Sequence, residues 1–394
     1  MSAPTYTPAR LGHQPALDGL RGVAVAAVFG LHFEWPWIPG GHFGVDVFFV
    51  LSGFLITTLL LEEHFQSGRI ALRAFFFRRI VRLYPALIAL VIFSTTFTLL
   101  LHREVGLTRT VAVASSVLFY YANWLSIMDS AAWFGGMPHT WSLAIEAQFY
   151  VLWALTIAGL ARRYPQPEQK TALLKILTAI AVSIVLASAG WRAWLWADGA
   201  VWLRTYLGTD THLDSVFVGV IVALLRLQQP PSPLSPDATR PNQRGFTLLA
   251  TGCVAGIAIL FHAVPFGTAL PGNIEFTLIS LATAGLLYSI LLFPNAVWGV
   301  VLRWQPLVWL GKISYSLYIW HVAAVKFLKT DRLLAAGLPH WAAESVRVVL
   351  SLLIAAASYH LIERTFLRWK NRHQPSQSAT GTNPLAADTS RATL

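Results

Sequence analysis

Charge is what this sequence has least of. Asp, Glu, Lys and Arg make up 12% of its 394 residues, about half the share of an ordinary soluble domain, so most of the chain cannot present a water-facing surface. Acids are the scarcer sign, 18 against 29 Lys and Arg, which leaves a net charge of +11. A single cysteine, Cys253, excludes an intrachain disulfide framework and a paired-cysteine metal site. Also missing are H-E-x-x-H, G-x-x-x-x-G-K-[ST] and a G-x-G-x-x-G after a soluble strand, so no zinc hydrolase, P-loop or dinucleotide reading stands, and no metal is expected. Internal repeats, the mark of many transporters, are absent too.

What the chain has instead is apolar length. It is 55% hydrophobic, with 16 Trp and a mean hydropathy of +0.56. Apolar runs recur near residues 18–35, 44–64, 83–101, 109–127, 141–160, 171–190, 212–227, 245–264, 274–293, 306–328 and 341–362. Each is long enough to be weighed as a membrane span. Basic clusters punctuate them at Arg73, Arg78, Arg79 and Arg82; at Arg162, Arg163 and Lys170; at Arg226, Arg240 and Arg244; at Arg303 and Lys312; and at Arg364, Arg368, Lys370 and Arg372. Clusters that all face the cytoplasm require an even number of spans between neighbours, and only Arg82 to Arg162 breaks that rule. The weakest run there, 109–127, contains Ser, Asn and Tyr and is expected to be a partial helix lying toward the outside.

The expectation is therefore an all-α integral membrane protein of about ten transmembrane helices in one bundle, in the inner (cytoplasmic) membrane, with both termini cytoplasmic. Residues 1–16 form a short N-terminal segment, 17–370 the transmembrane domain, and 371–394, rich in Ser, Thr, Ala and Pro, a disordered tail. Basic residues split into short clusters between apolar runs point to membrane topology and away from nucleic acid.

Within the first apolar stretch, LDGLRGVAVAAVFGLHF, sit Arg21 and His32. Eleven residues make three helical turns and a little more, so the two side chains share a face about 16 Å apart along the axis. Ionisable groups in a membrane segment are costly and mark function by default. His32 is read either as an interfacial histidine bonded to a backbone carbonyl or as a general base. Arg21 is read as an ion pair with Asp18 one turn earlier, or as the contact for a ligand anion.

LDGLRGVAV with His32, GHFGVDVFFVLSGF, FFRRIVRLYPA, TWSLAIEAQFY, TDTHLDSVFVG and ISYSLYIWH occur in this order. In these strings the chain resembles the membrane acyltransferase-3 family, from Leu17 to about Phe366. The resemblance implies transfer of an acyl group, usually acetyl, from cytoplasmic acyl-CoA to a hydroxyl of a carbohydrate, a glycolipid or a glycosylated natural product such as a macrolide. It also implies His32 as the base and Arg21 beside the donor or the charge developing at its thioester.

The other motifs are weighed against that implication. Arg78 and Arg82, four residues apart with Arg79 beside them, mark either positive-inside topology or a site for the phosphates of acyl-CoA. Gly41, Gly44 and Gly53 permit close helix packing or passage of an acyl chain. Ser52 lacks a G-x-S-x-G elbow, which argues against a covalent acyl-serine and leaves it a donor-side contact. Glu146 is expected to orient groups at the site, His32 among them, and His139 to be interfacial. Asp210 and Asp214 flank the outer end of a span, with His212 where the family more often shows Arg. Ser314, Tyr318 and His321 share one face, either lining a polar cavity on the donor's path or bonded to their own helix. Glu363 and Arg364 are read as a structural cap. The rival from another class is a transporter or flippase of a glycosylated or lipid-linked molecule.

Overall fold

A computed structural model describes residues 10–130, 137–229, 243–327 and 330–373. These residues are helical, with no strand among them. Pro15 opens α1 (Pro15–His32) at a position where its missing N–H costs nothing. The chain turns through the Trp- and Pro-rich segment 33–40 and enters α2 (Gly44–Ser67), which Gly68 ends in the left-handed region. Then come α3 (Leu72–Leu101), α4 (Leu107–Leu118), α5 (Ala122–Met128), α6 (Trp141–Arg163), α7 (Lys170–Ala197), α8 (Trp202–Leu207) and α9 (Leu213–Gln228). The rest comprises α10 (Gln243–Ala263), α11 (Glu275–Leu292), α12 (Val297–Val301), α13 (Gln305–Lys312), α14 (Ser314–Phe327), α15 (Thr330–Ala335), α16 (His340–Ser358) and α17 (Arg364–His373). A π-helical turn, Tyr359–Glu363, joins the last two.

Seven helical segments are long and apolar enough to cross a membrane: 41–67, 72–101, 138–163, 170–197, 243–263, 271–292 and 340–369. Large apolar side chains stand exposed along them, among them Ile92, Leu152, Leu186, Leu248 and Leu353. Such a surface is stable against lipid and not against water. Three of the ten expected spans, α1, α9 and α14, are not among the seven and run to only 18, 16 and 14 residues. They lie inside, and most of their residues are buried.

Run 109–127 proves to be two short helices, α4 and α5, broken at Tyr120, whose φ is +56°. Run 306–328 is likewise two helices, α13 and α14, parted at Ile313. The expected tail beyond residue 373, the first nine residues and Arg240 lie outside the described residues.

Glycines set the packing of the interior. A Cβ on Gly53 of α2 would sit 1.9 Å from the carbonyl oxygen of Val216 on α9, and one on Gly219 would sit 1.9 Å from that of Val50. The same holds where α1 meets α13: a Cβ on Gly311 would lie 1.8 Å from the Asp18 carbonyl oxygen, and one on Gly22 would lie 2.2 Å from that of Leu307. Gly44 and Gly41 abut the backbone of Ala24 and Ala27. The glycines of the second motif therefore bring backbones into contact, and the acyl-passage reading of Gly41, Gly44 and Gly53 is not what they do. Gly53→Ala or Gly219→Ala should cost roughly 1–3 kcal/mol of stability through overpacking. Thermal unfolding in detergent checks this, with Gly252→Ala, which meets nothing within 4 Å, as the neutral comparison.

Candidate active site

The long axis of α1 separates two polar clusters. At its N-terminal end Arg21 is joined by Arg79 and Arg82 of α3, three residues apart and so on one face. Arg21 lies within electrostatic reach of Arg82, Glu146, Tyr150 and Asp18, and Arg79 within reach of Tyr150, Arg82, Arg21 and Glu146. The Arg79 guanidinium stands 5.7 Å from the ring centres of both Phe75 and Tyr150. Among the described residues none of the three guanidiniums makes an ion pair within 4.0 Å, and Arg21 Nε is buried without a hydrogen-bond partner.

The acids nearest these arginines are engaged elsewhere. Glu146 of α6 accepts from Ser52 Oγ at 2.7 Å and from Tyr150 OH at 3.0 Å. Glu363, at the π-helical turn, accepts from the Ser316 hydroxyl while standing within reach of Arg82 and Arg21. Tyr315 ties α14 to this end of α3 by donating to the Leu83 carbonyl at 2.6 Å. Three fixed cations thus face Glu146 and Glu363, both already hydrogen-bonded to hydroxyls, with Asp18 acting on Arg21 from farther off and bonded to His13. Among the described residues no carboxylate is in direct contact with the three guanidiniums, which leaves donors to spare, as an anion site requires.

Several expectations change here. Asp18 is not the ion-pair partner of Arg21; its carboxylate bonds His13 Nε2 at 2.8 Å. Arg78 lies on the same side of α3 as Arg82, as its spacing predicts, but its guanidinium turns toward Glu63 at 3.6 Å. Glu146 has no bond to His32; it holds Ser52 and Tyr150. Glu363 is more than a cap, since it supplies negative charge beside two arginines. Sequence reasoning passed over Tyr150, although its position one turn after Glu146 was the available sign.

The second cluster gathers around His32, at the C-terminal end of α1. His32 Nδ1 lies 2.9 Å from the Val28 carbonyl oxygen. A carbonyl only accepts, so the proton is on Nδ1 and the lone pair on Nε2. His321 of α14 packs edge to face against His32, ring centres 4.5 Å apart, and His139 lies 5.2 Å from His321. His139 is buried within the protein, with Nε2 donating to the Ile319 carbonyl at 3.0 Å. Tyr318 donates to the His139 carbonyl at 2.8 Å, with Ser142 Oγ 2.6 Å away. Tyr318 and His321 thus gather with His32, with Tyr318 also within electrostatic reach of Glu146.

A third group holds the scaffold. Arg192 of α7 forks onto Asp214 of α9 with two 2.8 Å bonds, and the pair is 1% and 0% exposed. It also reaches the Asn273 carbonyl and the Thr277 hydroxyl of α11. Sequence reading missed Arg192 because its partner is 22 residues away. His212 is buried with both ring nitrogens unpartnered, 3.7 Å from Asp46, which accepts from Ser215 at 2.9 Å. Asp210 is held by Arg204 and Trp191.

Residues 14–360 match the acyltransferase domain that defines the acyltransferase-3 family. The chain belongs to that family. The O-acetyltransferase OatA of Staphylococcus aureus, strain NCTC 8325 / PS 47, is 32% identical over 363 residues, 91% of this chain and 57% of that protein. OatA of strain COL aligns to the same extent. The chain therefore spans less than three fifths of the length of these relatives. No solved structure matches it.

Removing one member of the Arg192–Asp214 pair strands a buried charge. Arg192→Ala should therefore destabilise by roughly 3–5 kcal/mol, seen as loss of monodisperse protein on size exclusion in detergent. Replacing both residues together should cost less than either alone.

Proposed function

We propose that this protein is an integral-membrane O-acyltransferase that moves an acyl group, acetyl by the names of its relatives, from acyl-CoA to a hydroxyl of a carbohydrate, glycolipid or glycosylated natural product. The observation that carries this reading is the division of α1: an unpaired arginine cluster at one end and a histidine with a free Nε2 at the other. Acyl-CoA is a phosphate-bearing anion at one end and a thioester at the other. Arg21, Arg79 and Arg82 suit its phosphates, and its extended arm carries the thioester along α1 toward His32.

His32 Nε2 takes the proton of the acceptor hydroxyl as its oxygen attacks the thioester carbonyl; the C–S bond breaks and the sulfur receives that proton as the thiol leaves. Transfer is direct, since Ser52 bonds a carboxylate among the arginines and no histidine bonds it. Glu146 and Tyr150 fix the walls of the donor end.

The proposed topology has ten crossings, the seven long segments together with α1, α9 and α14, and both termini cytoplasmic in the inner membrane. Donor and acceptor then arrive from opposite faces. A cysteine introduced at Asp198 into a Cys253→Ala background should react with an impermeant maleimide added outside intact cells. One at Arg163 should react only after lysis, and the reverse pattern contradicts the topology.

The chemistry is tested on purified protein in proteoliposomes, following thiol release from acetyl-CoA with a panel of glycoside acceptors. His32→Gln should lower turnover by about 100-fold or more. Arg79→Ala and Arg82→Ala should each raise KM for acetyl-CoA roughly tenfold, as loss of a charge-assisted phosphate contact predicts, whereas the exposed Arg162→Ala should not. Full turnover in His32→Gln contradicts the mechanism.

A further inference from the structure

An anion site built into a protein has to be kept from the protein's own carboxylates, and the one best placed to fill Arg21 is Asp18. The two stand three residues apart on α1, a spacing at which helical side chains meet as an ion pair. Asp18 acts electrostatically on Arg21, yet among the described residues the two make no ion pair. Its Oδ2 lies instead 2.8 Å from His13 Nε2. An imidazole N–H at that nitrogen donates to a carboxylate whether the ring is neutral or charged, so the contact does not depend on pH.

His13 belongs to a strap, residues 10–14, that is fixed to α2 before it reaches α1. The Leu11 N–H donates to Glu62 Oε1 at 2.9 Å, and Arg10 Nε donates to Gln66 Oε1 at 2.6 Å. Glu62 also accepts from Arg226 of α9 at 2.8 Å, so the anchor joins two helices. Gly12, with φ +62°, supplies the left-handed residue at which the chain turns between Leu11 and His13. The Gln14 side chain then ties back to the Leu11 carbonyl at 2.7 Å. At 67% exposure the His13 side chain buries too little to matter for packing, and among the described residues Asp18 is its only hydrogen-bond partner.

We propose that His13 is a positioning residue for donor binding: held by the strap, it keeps the Asp18 carboxylate off Arg21, so that an incoming phosphate meets an open guanidinium. The inference rests on the arginine cluster being the donor site. Released from His13, Asp18 turns to Arg21, one turn along the same helix, and the protein's own anion occupies the site. Affinity for an external anion then falls in proportion to the fraction of molecules that keep Arg21 open. The transfer step is untouched, because His32 lies at the other end of α1 and has no bond to the strap. The effect therefore falls on donor affinity and not on turnover.

The test is a double-mutant cycle read as KM and kcat for acetyl-CoA in proteoliposomes. His13→Ala should raise KM about three- to tenfold and leave kcat within about twofold. His13→Gln, whose side-chain amide can still donate to Asp18, should keep KM near that of wild type. Asp18→Asn should bind the donor at least as well as wild type, and adding His13→Ala to it should change KM no further, since the competing carboxylate is gone. Unfolding temperatures in detergent establish that the variants are folded. A His13 that merely steadies the strap would raise KM equally with and without Asp18→Asn. That equal rise, a wild-type KM in His13→Ala, or a weakened donor affinity in Asp18→Asn overturns the proposal. Arg82→Ala run alongside separates the two claims. An unchanged KM there defeats the donor site itself, and a raised KM there beside a wild-type KM in His13→Ala defeats only the role of His13.

Discussion

A guanidinium inside an apolar bundle cannot shed its proton, and the arrangement around Arg21 follows from that constraint. With Asp18 drawn off by His13 and Glu146 engaged by two hydroxyls, Arg21 stands with Arg79 and Arg82 and without a close counter-ion. Holding three like charges together is unfavourable unless something outweighs the repulsion. Glu146, Glu363 and the more distant Asp18 offset part of it, and the phosphates of the proposed donor would offset more. The tight glycine contacts of α1 and α2 serve the same arrangement, because they fix the helices that carry Arg21, Ser52 and His32 at backbone distance from their neighbours. A bundle built this way resists the local relaxation that would let the arginines disperse.

The two ends of α1 answer the same dielectric problem in opposite ways. One end keeps permanent charge with no counter-ion in direct contact among the described residues. The other keeps its titratable groups neutral, each histidine giving one N–H to a backbone carbonyl and holding the other nitrogen as a lone pair. An anionic donor suits the first end, and proton transfer from a hydroxyl suits the second. Family membership and the relatives named O-acetyltransferase point the same way, although the chain spans only part of their length.

How much of this was legible in the sequence depended on the range of the interaction. Arg21 and His32 could be placed on one face because helical periodicity is local, and α1 runs unbroken between them. The partial helix at 109–127 was visible as polar residues in an apolar run. By contrast, Arg78 and Arg82 are as well spaced as Arg79 and Arg82, and only the position of Glu63 on α2 turns the Arg78 guanidinium aside. Tyr318 and His321 were recognised as sharing a face, but spacing within α14 does not say which end of α1 that face meets. The Arg192–Asp214 fork joins two helices and had no local mark, and Asp18 looked like a partner for Arg21 because His13, five residues before it, precedes the helix.

The most direct test of the account is a structure of the protein with acetyl-CoA bound in a lipid nanodisc. The account predicts donor phosphates on Arg21, Arg79 and Arg82 and the thioester brought toward His32 Nε2. Phosphates held by Arg162, Arg163 or Arg303 instead, or a thioester that ends among the arginines far from His32, would contradict it.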